Sequence, residues 1–295
     1  MYAKLFNFIN NKGLLKKIPD ELYIHMFYKA KTGKQIDLKH PKLLNEKLQY
    51  LKLNDHNPLY TNMVDKYKVK EYIKKNIGDK YVIPTLAVWD KPEDINLESL
   101  PEQFILKCNH DSGSLIVCKD KSKLDMNEVK KKLCMCLKEN YYLKGREWPY
   151  KNIERKIIAE PYLSNKDGSA IVDYKFYCYG GMPRYFMYSL GEAEHKVKNH
   201  KFDMELHSID YLFKKSVDIE IDEIHLPDNI ETMIDIVKKL CVDFQHVRID
   251  LYNVDGKIYF GEFTFYTNGG IINIENEEYA QKMADYIDIG KAYGK

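Results

Sequence analysis

The segment HVRIDLYNVDGKIYFGEFTF, residues 246–265, carries the clearest structural pattern in this 295-residue chain. Polar and apolar residues alternate on both sides of a central Asp-Gly pair, which predicts two antiparallel strands joined by a tight turn. Because side chains alternate between the two faces of a strand, Arg248 and Asp250 share one face of the first strand. Glu262 and Thr264 share one face of the second strand for the same reason.

The length of the turn determines whether the two acidic residues meet. A two-residue Asp-Gly turn places Asp250 and Glu262 on opposite faces of the hairpin. A three-residue loop that begins at Val254 sets Arg248 opposite Glu262 and makes Asp250 its diagonal neighbour, with Cβ atoms about 7 Å apart or less. We expect the three-residue loop, because a type I turn followed by a left-handed glycine is a common hairpin connection.

Two carboxylates on one face repel each other unless a positive charge lies between them. Mg²⁺ prefers hard oxygen ligands and typically takes one or two carboxylates together with substrate phosphates. The pair of Asp250 and Glu262 therefore suggests a magnesium site. A solvated strand face with an ion pair between Arg248 and Glu262 explains the hairpin by itself equally well.

Composition narrows the class of protein. The 46 Lys and Arg residues against 44 Asp and Glu give a net charge of +2, which argues against a general attraction to nucleic acid. The six cysteines form no CxxC pair, so we expect reduced thiols in a cytoplasmic protein rather than a zinc site or disulfides. No apolar run approaches the roughly 20 residues of a transmembrane helix. The weakly amphipathic N-terminus, residues 1–17, either touches a membrane surface or caps the fold, and we expect the cap.

Hydrophobic periodicity predicts a mainly helical first hundred residues, followed by strands interleaved with helices. The predicted helices cover residues 21–31, 41–53, 62–76, 125–141, 229–244 and 276–290. The predicted strands, besides the hairpin, cover residues 81–90, 104–110, 115–120, 156–163, 172–181 and 183–190. Pro84 argues for an edge position or a bulge in the first of these strands. Together these elements indicate an α+β or mixed α/β fold.

Charged residues stand at unusual places in these strands. Lys107 lies within an otherwise apolar strand, which is costly unless the lysine is paired or points outward from an edge strand. Glu160 ends another apolar strand, and Asp173 and Lys175 share a face of the next one. Taken singly, these three are best explained as ordinary strand charges. A small polar loop follows Lys107 and offers backbone N–H groups to phosphate oxygens; it consists of His110, Asp111, Ser112, Gly113 and Ser114.

In their order and spacing, these elements resemble the ATP-grasp superfamily. The most similar branch is the TupA-like one, which is associated with teichuronopeptide and capsular polysaccharide synthesis. The core of the resemblance runs from about Gln103 to Gly270. The motifs that carry it are Asp65-Lys66, Leu100-Pro101, FILKCNHDSG (104–113), Asp173-Tyr174-Lys175 and EFTFY (262–266).

The resemblance implies roles in binding Mg²⁺ and ATP. Lys107 would reach the ATP phosphates, and the 110–114 loop would form the flap over them. The residues Glu160, Pro161, Tyr162 and Leu163 would form the hinge between two lobes, where the family reads adenine through backbone groups. Asp173 would lie near the ribose, and Lys175 would help to hold phosphates.

The same resemblance assigns the chemistry to the hairpin. Arg248 would steady the transferred phosphoryl group or the acyl intermediate, together with Lys175 and Lys107. Asp250 and Glu262 would be the metal ligands. Many ATP-grasp ligases place an asparagine two residues after the glutamate, where this chain has Thr264, so Thr264 or the nearby Asn268 is the candidate third ligand.

The reaction implied is ATP-dependent activation of a carboxylate as an acyl phosphate, followed by attack of an amine. In this branch the resemblance suggests joining an amino acid or another amine to a uronic acid of a cell-surface polysaccharide. The tyrosine-rich strands around 174–188 and 252–266 are candidates for stacking on sugar, and changing Tyr185 and Tyr188 tests this. A glycosyltransferase of the same pathway, a sugar kinase and a non-catalytic nucleotide-binding scaffold remain alternatives. A glycosyltransferase would normally carry a DxD metal motif, and the sequence has none.

The resemblance also divides the chain. We expect a mainly helical N-terminal region over residues 1–100, a small ATP-grasp subdomain over 101–163, and a large subdomain with the metal site over 164–295. The expected partners are a sugar or polysaccharide precursor and an amine, with no nucleic acid. A peripheral association with membrane-bound polysaccharide machinery, at the inner face of the membrane, is left open.

Overall fold

A computed structural model describes residues 1–191, 197–213 and 224–292. Its helices are α1 (Tyr2–Asn11), α2 (Asp20–Thr32), α3 (Leu44–Asn54), α4 (Leu59–Val64), α5 (Val69–Asn76), α6 (Met126–Lys138), α7 (Tyr142–Gly145), α8 (Ile230–Cys241) and α9 (Glu277–Asp285). Its strands are β1 (Ala87–Trp89), β2 (Phe104–Cys108), β3 (Ile116–Cys118), β4 (Ile157–Pro161), β5 (Val172–Tyr179), β6 (Met182–Leu190), β7 (Lys198–Asp203), β8 (His246–Val254) and β9 (Lys257–Thr264).

The strands form two antiparallel sheets. The first sheet has the order β1-β4-β2-β3, and α6 packs on it through Val129 and Leu133. The second sheet has the order β7-β6-β5-β8-β9. The apolar face of α8, including Met233 and Val237, packs against one face of this second sheet and leaves the opposite face for polar residues. The mixed α/β class predicted from the sequence is confirmed.

The N-terminal helices dock on the end of β9 and the loop that follows it. The ring of Tyr60 in α4 stacks on Phe265 at a centroid distance of 4.2 Å. Asn45 in α3 exchanges hydrogen bonds with the backbone of Ile272. None of the helices in the described ranges is long and apolar enough to cross a membrane.

Most predicted elements are present, with several differences. The single helix expected over residues 62–76 is two helices, because Asp65 leaves the helical conformation and its side chain accepts the N–H groups of Tyr67 and Lys68. The strand expected over 81–90 is shortened to β1, which lies at a sheet edge as Pro84 suggested. Strand β7 was not predicted.

The hairpin of β8 and β9 differs from both predicted registers. The turn has two residues, since Val254 pairs directly with Lys257, so the expected three-residue loop is wrong. A β-bulge then adds Gly261 to β9, because Leu251 pairs with Phe260 whereas Asp250 pairs with Glu262. Because of this extra residue, Glu262 lies on the same face of the hairpin as Asp250. With the two-residue turn alone, it would lie on the opposite face.

Candidate active site

The polar face of the second sheet arranges its functional side chains in three rows across neighbouring strands. The central row consists of Lys175 on β5, Asp250 on β8 and Glu262 on β9, each pairing with the next. The row on one side consists of Tyr177, Arg248 and Thr264. The row on the other side consists of Asp173, Tyr252 and Tyr259. Side chains in directly paired positions are close enough to interact, so the sheet brings both acidic residues into one cluster.

Cations surround the two carboxylates. Arg248 donates two hydrogen bonds of 2.6 Å to Asp250, through Nε and Nη2, and its Nη2 also lies 3.1 Å from Oε1 of Glu262. The Nζ atom of Lys175 lies 3.6 Å from Oδ2 of Asp250. Thr264 donates a hydrogen bond of 3.3 Å to Glu262. The predicted metal ligands and the predicted arginine therefore belong to one network.

Lys66 joins this network from the N-terminal helical region. Its Nζ atom lies 3.5 Å from Oε2 of Glu262 and donates to the carbonyl oxygen of Asp111 at 2.7 Å. The enclosure of Glu262 alone would raise its pKa, but the charges of Lys66 and Arg248 outweigh that effect and lower the pKa to about 2. The side chain of the neighbouring Asp65 instead accepts the backbone N–H groups of Tyr67 and Lys68.

Asp173 is the buried acid at the edge of this cluster. It accepts a short hydrogen bond from Lys175. Burial, opposed by the charge of Lys175 and assisted by that of Asp250, raises the pKa of Asp173 to about 7. The pKa shifts of Asp173 and Glu262 therefore have opposite directions.

The first sheet contributes a second cluster, centred on Glu160 at the end of β4. Lys107 on β2 lies 2.7 Å from Oε2 of this buried carboxylate, and Lys70 on α5 lies 2.6 Å from Oε1. Lys70 also donates to the hydroxyl group of Thr85 at 2.6 Å. Burial would raise the pKa of Glu160, but the two lysines lower it. Lys107, whose place in an apolar strand would be unfavourable without a partner, is therefore paired with Glu160.

The 110–114 loop is held mainly by its own side chains. His110, Asp111 and Ser114 are buried, and Ser114 donates to Asp111 at 2.5 Å while accepting the N–H of Cys108 at 2.8 Å. Burial lowers the pKa of His110. Only Ser112 and Gly113 are exposed at the tip of the loop, so backbone groups there, rather than the His110 side chain, face outward.

The predicted hinge residues and the loop after β9 follow the two strands that carry Glu160 and Glu262. Pro161 pairs with Phe104 at the end of β4, and Tyr162 and Leu163, both partly exposed, lead toward the second sheet. After β9, Asn268 adopts a left-handed conformation with φ 53°. The sheet register places Thr264, rather than Asn268, next to Glu262.

Several residues of this region were missed from the sequence. Lys52 on α3 is 1% exposed and donates to the carbonyl oxygens of Gly145 and Gly269, at 2.9 and 2.7 Å. Burial, offset in part by the charge of Glu147, lowers the pKa of Lys52 to about 7. Burial in turn raises the pKa of Glu147 to about 7 against the charges of Lys52 and Arg248. The sequence signal that could have identified Lys52 is its position on the apolar side of a predicted helix.

The tyrosines proposed to stack on sugar do not serve as an open platform. Tyr185 is 1% exposed and stacks on Tyr177 at 4.5 Å, and Tyr188 is buried against Tyr174. Both rings are part of the core of the second sheet. By contrast, Tyr252 and Tyr259 are partly exposed on the polar face.

A cavity of about 950 Å³ adjoins the Glu160 cluster. Lys70, Thr85 and Tyr259 line it, together with other residues of α4, α5 and the segment before β1. Its volume lies in the range of small-molecule and cofactor sites. Among the described residues that line it, Lys70 is the one that also contacts Glu160.

One family model matches most of this chain. The family described as TupA-like ATPgrasp matches residues 46–288. No match was found among curated proteins.

Three solved structures are among those to which this chain is similar. The D-alanine–D-alanine ligase from Bacillus anthracis, complexed with ATP, is 16% identical with a TM-score of 0.46, and the match covers 79% of this chain and 68% of that one. The D-alanine–D-alanine ligase from Helicobacter pylori is 12% identical with a TM-score of 0.42, covering 83% and 69%. The ATP-grasp ligase PsnB, complexed with minimal precursor, Mg and ADP, is 9% identical with a TM-score of 0.41, covering 84% and 65%.

Proposed function

Since the chain belongs to the TupA-like ATP-grasp family and is an ATP-dependent ligase by that membership, we propose that it joins a carboxylate to an amine through an acyl phosphate, with Mg²⁺ held by Asp250 and Glu262. The observation that carries the proposal is the direct pairing of these two acids on β8 and β9, within a ring of cations. Two carboxylates and a hydroxyl group are hard oxygen donors of the kind that Mg²⁺ prefers.

The donor set fits a magnesium ion that arrives with ATP. In the protein alone, Arg248 pairs with Asp250; burial would raise the pKa of Glu262, but the charges of Lys66 and Arg248 lower it. When bound, Mg²⁺ would neutralise charge on the phosphates. Thr264, hydrogen-bonded to Glu262, is the candidate third oxygen ligand.

The Glu160 cluster supports a nucleotide site beside the metal. We assign Lys107, and also Lys70, to the ATP phosphates, because both ammonium groups already converge on one buried carboxylate from different elements. The exposed backbone of Ser112 and Gly113 would contact phosphate oxygens, as such loops do. Pro161 and Leu163 would offer a carbonyl oxygen and an N–H group to adenine, and Asp173 would lie near the ribose.

Transfer of the phosphoryl group depends mainly on positioning and charge neutralisation. Arg248, fixed by two hydrogen bonds to Asp250, would direct its remaining donor atoms toward the transferred group. Lys175 stands between Asp173 and Asp250, where it would hold phosphate oxygens. The amine then attacks the acyl carbon and phosphate leaves with the bonding electron pair, so no serine or cysteine nucleophile is required.

For the substrates, we propose a uronic acid of a cell-surface polysaccharide precursor and an amino acid or similar amine, with the reaction at the inner face of the membrane. This assignment rests on the TupA-like membership alone.

The test is a matrix of Mg·ATP with candidate uronic acids and amino acids, read by ADP, phosphate and product mass. A ligase releases ADP and phosphate only when both substrates are present. Formation of ADP without free phosphate indicates a sugar kinase, and turnover of a nucleotide sugar without ATP indicates a glycosyltransferase. Either of these two results would overturn the proposal.

A further inference from the structure

An apolar stripe on α1 is left uncovered by the fold. Leu5 and Phe8, which are i and i+3 neighbours on one side of the helix, are 55% and 60% exposed. Leu14, in the turn that follows, is 68% exposed, and Leu22 at the start of α2 is 51% exposed. Single exposed apolar residues are ordinary, but Leu5, Phe8 and Leu14 lie close together in sequence, and Leu5 and Phe8 share one face of α1.

The opposite side of the same segment is firmly attached to the protein. Phe6 and Leu15 are buried in a core with Tyr23 and Phe27. The buried Arg146 donates to the carbonyl oxygen of Leu15 at 2.8 Å. The stripe is therefore presented outward by a fixed helix and does not depend on a partly unfolded end.

The charge in the segment that carries Leu5, Phe8 and Leu14 has one sign. Four exposed lysines, and no acidic residue, occur in the first nineteen residues; they are Lys4, Lys12, Lys16 and Lys17. The chain as a whole is nearly balanced, with a net charge of +2, so this segment is a local concentration of positive charge. Exposed apolar side chains ringed by lysines are the features of helices that lie in the interface of anionic membranes.

We propose that α1 and the turn after it bind the surface of an anionic phospholipid bilayer. Leu5, Phe8 and Leu14 would enter the boundary between headgroups and acyl chains, and the lysines would contact lipid phosphates. A second copy of this chain is the less suitable occupant, because its own lysines would repel those around the stripe. The inference is independent of the ligase chemistry.

The experiment is co-sedimentation of the full chain with vesicles of phosphatidylglycerol and phosphatidylcholine, and with vesicles of phosphatidylcholine alone. We expect binding to the anionic vesicles, at least tenfold weaker binding to the neutral ones, and release at high salt. The variants Leu5→Gln/Phe8→Gln and Lys12→Gln/Lys16→Gln/Lys17→Gln should each weaken binding about tenfold or more. The control Val242→Gln, at a position 63% exposed on another surface, should bind like the unchanged protein.

All substituted side chains are exposed, so the variants should keep the thermal midpoint of the unchanged protein. The proposal is overturned if the protein does not bind anionic vesicles at millimolar lipid, or if the Leu5→Gln/Phe8→Gln variant binds them as strongly as the unchanged protein. It is also overturned if sedimentation velocity finds a dimer that this variant dissociates while no vesicle binding occurs.

Discussion

Asp250 and Glu262 face each other across β8 and β9 only because Gly261 is an extra residue in β9. The two-residue turn at Asp255-Gly256, with φ values of 48° and 78°, is of the type that suits a tight hairpin, but without a bulge it would put the two acids on opposite faces. Local backbone geometry at one glycine therefore assembles the pair on which the proposed magnesium site depends.

The bulge should tolerate no side chain at Gly261. A Cβ atom there would lie 3.0 Å from the carbonyl oxygen of Asp250 and 3.1 Å from the ring of Tyr252, so Gly261→Ala should cost about 1–3 kcal/mol of unfolding free energy. It should also reduce Mg·ATP turnover, because Asp250 and Tyr252 are displaced. Urea denaturation and steady-state kinetics measure the two effects.

The matched control is Gly256→Ala in the turn of the same hairpin. Gly256 has a positive φ of 78° but nothing within 4 Å of the added atom, so this variant should lose about 1 kcal/mol from backbone strain alone. Its turnover should remain near that of the unchanged protein. Equal losses of activity in both variants would show that the bulge has no special role.

Removing either charge of the acidic pair should abolish most activity. Glu262→Gln and Asp250→Asn each remove one hard ligand, and we expect turnover to fall about a hundredfold or more, since a bound metal supplies several kcal/mol to such reactions. The Mg²⁺ concentration for half-maximal rate should rise in both. Glu277→Gln on the exposed face of α9 is the control and should change neither quantity.

The two acidic residues of this site could be predicted from the sequence, but the strand register that brings them together could not. Alternation along 246–265 identifies the polar face, and Asp250 and Glu262 are its only acids besides the turn residue. Register, however, depends on a bulge, and the one signal for it was a glycine inside the strand pattern at 261. Turn statistics favoured a three-residue loop. The sequence around the turn does not reveal whether an extra residue is accommodated in the loop or in a bulge within the strand.

Lys66 and Lys70 illustrate a second limit. Both lie in a lysine-rich stretch that predicts a solvated helix, yet Lys66 contacts Glu262 and Lys70 contacts Glu160. These contacts join residues separated by 196 and 90 positions and exist only because the N-terminal helices dock beside both sheets. Local periodicity contains no information about such long-range pairings.

Two ion pairs on α5 should respond very differently to the same substitution. Lys70 pairs with Glu160, whose side chain is 2% exposed, whereas Lys74 pairs with the exposed Glu71 and Asp79. Lys70→Met should cost about 2 kcal/mol, less than the 3–5 kcal/mol expected when a buried charge loses its only partner, because Lys107 remains. Lys74→Met should change stability by less than about 0.5 kcal/mol.

The affinity for ATP should also differ between Lys70→Met and Lys74→Met. If Lys70 holds phosphates, Lys70→Met should weaken ATP binding about tenfold in calorimetry, whereas Lys74→Met should bind normally. The double variant Lys70→Met/Glu160→Gln tests the pairing, because removal of both charges should recover part of the stability lost in the single variant. Unaltered ATP affinity in Lys70→Met would limit Lys70 to a structural role.

His246, at the start of β8, should make the protein sensitive to mild acid. Its ring is buried, stacks on Tyr179 at 4.7 Å, and lies with Nδ1 3.0 Å from the carbonyl oxygen of Cys178. Burial is the main reason why the pKa of this imidazole falls from 6.5 to about 4, opposed by that hydrogen bond and assisted by the charge of Arg248. The folded protein thus binds this proton more weakly than the unfolded chain does.

The sign of the pH effect follows from that difference. Above pH 6.5 the ring is neutral in both states and its contribution to stability is fully present. As the pH falls from 6.5 to 4, the unfolded chain takes up the proton first, so the free energy of unfolding should decrease by about 3 kcal/mol. His246→Gln should be less stable than the unchanged protein at pH 7.5, but its stability should change less over this pH range. Urea denaturation at four pH values, with exposed His40→Gln as control, measures the difference, and an NMR titration that places the pKa of His246 near 6.5 would contradict the prediction.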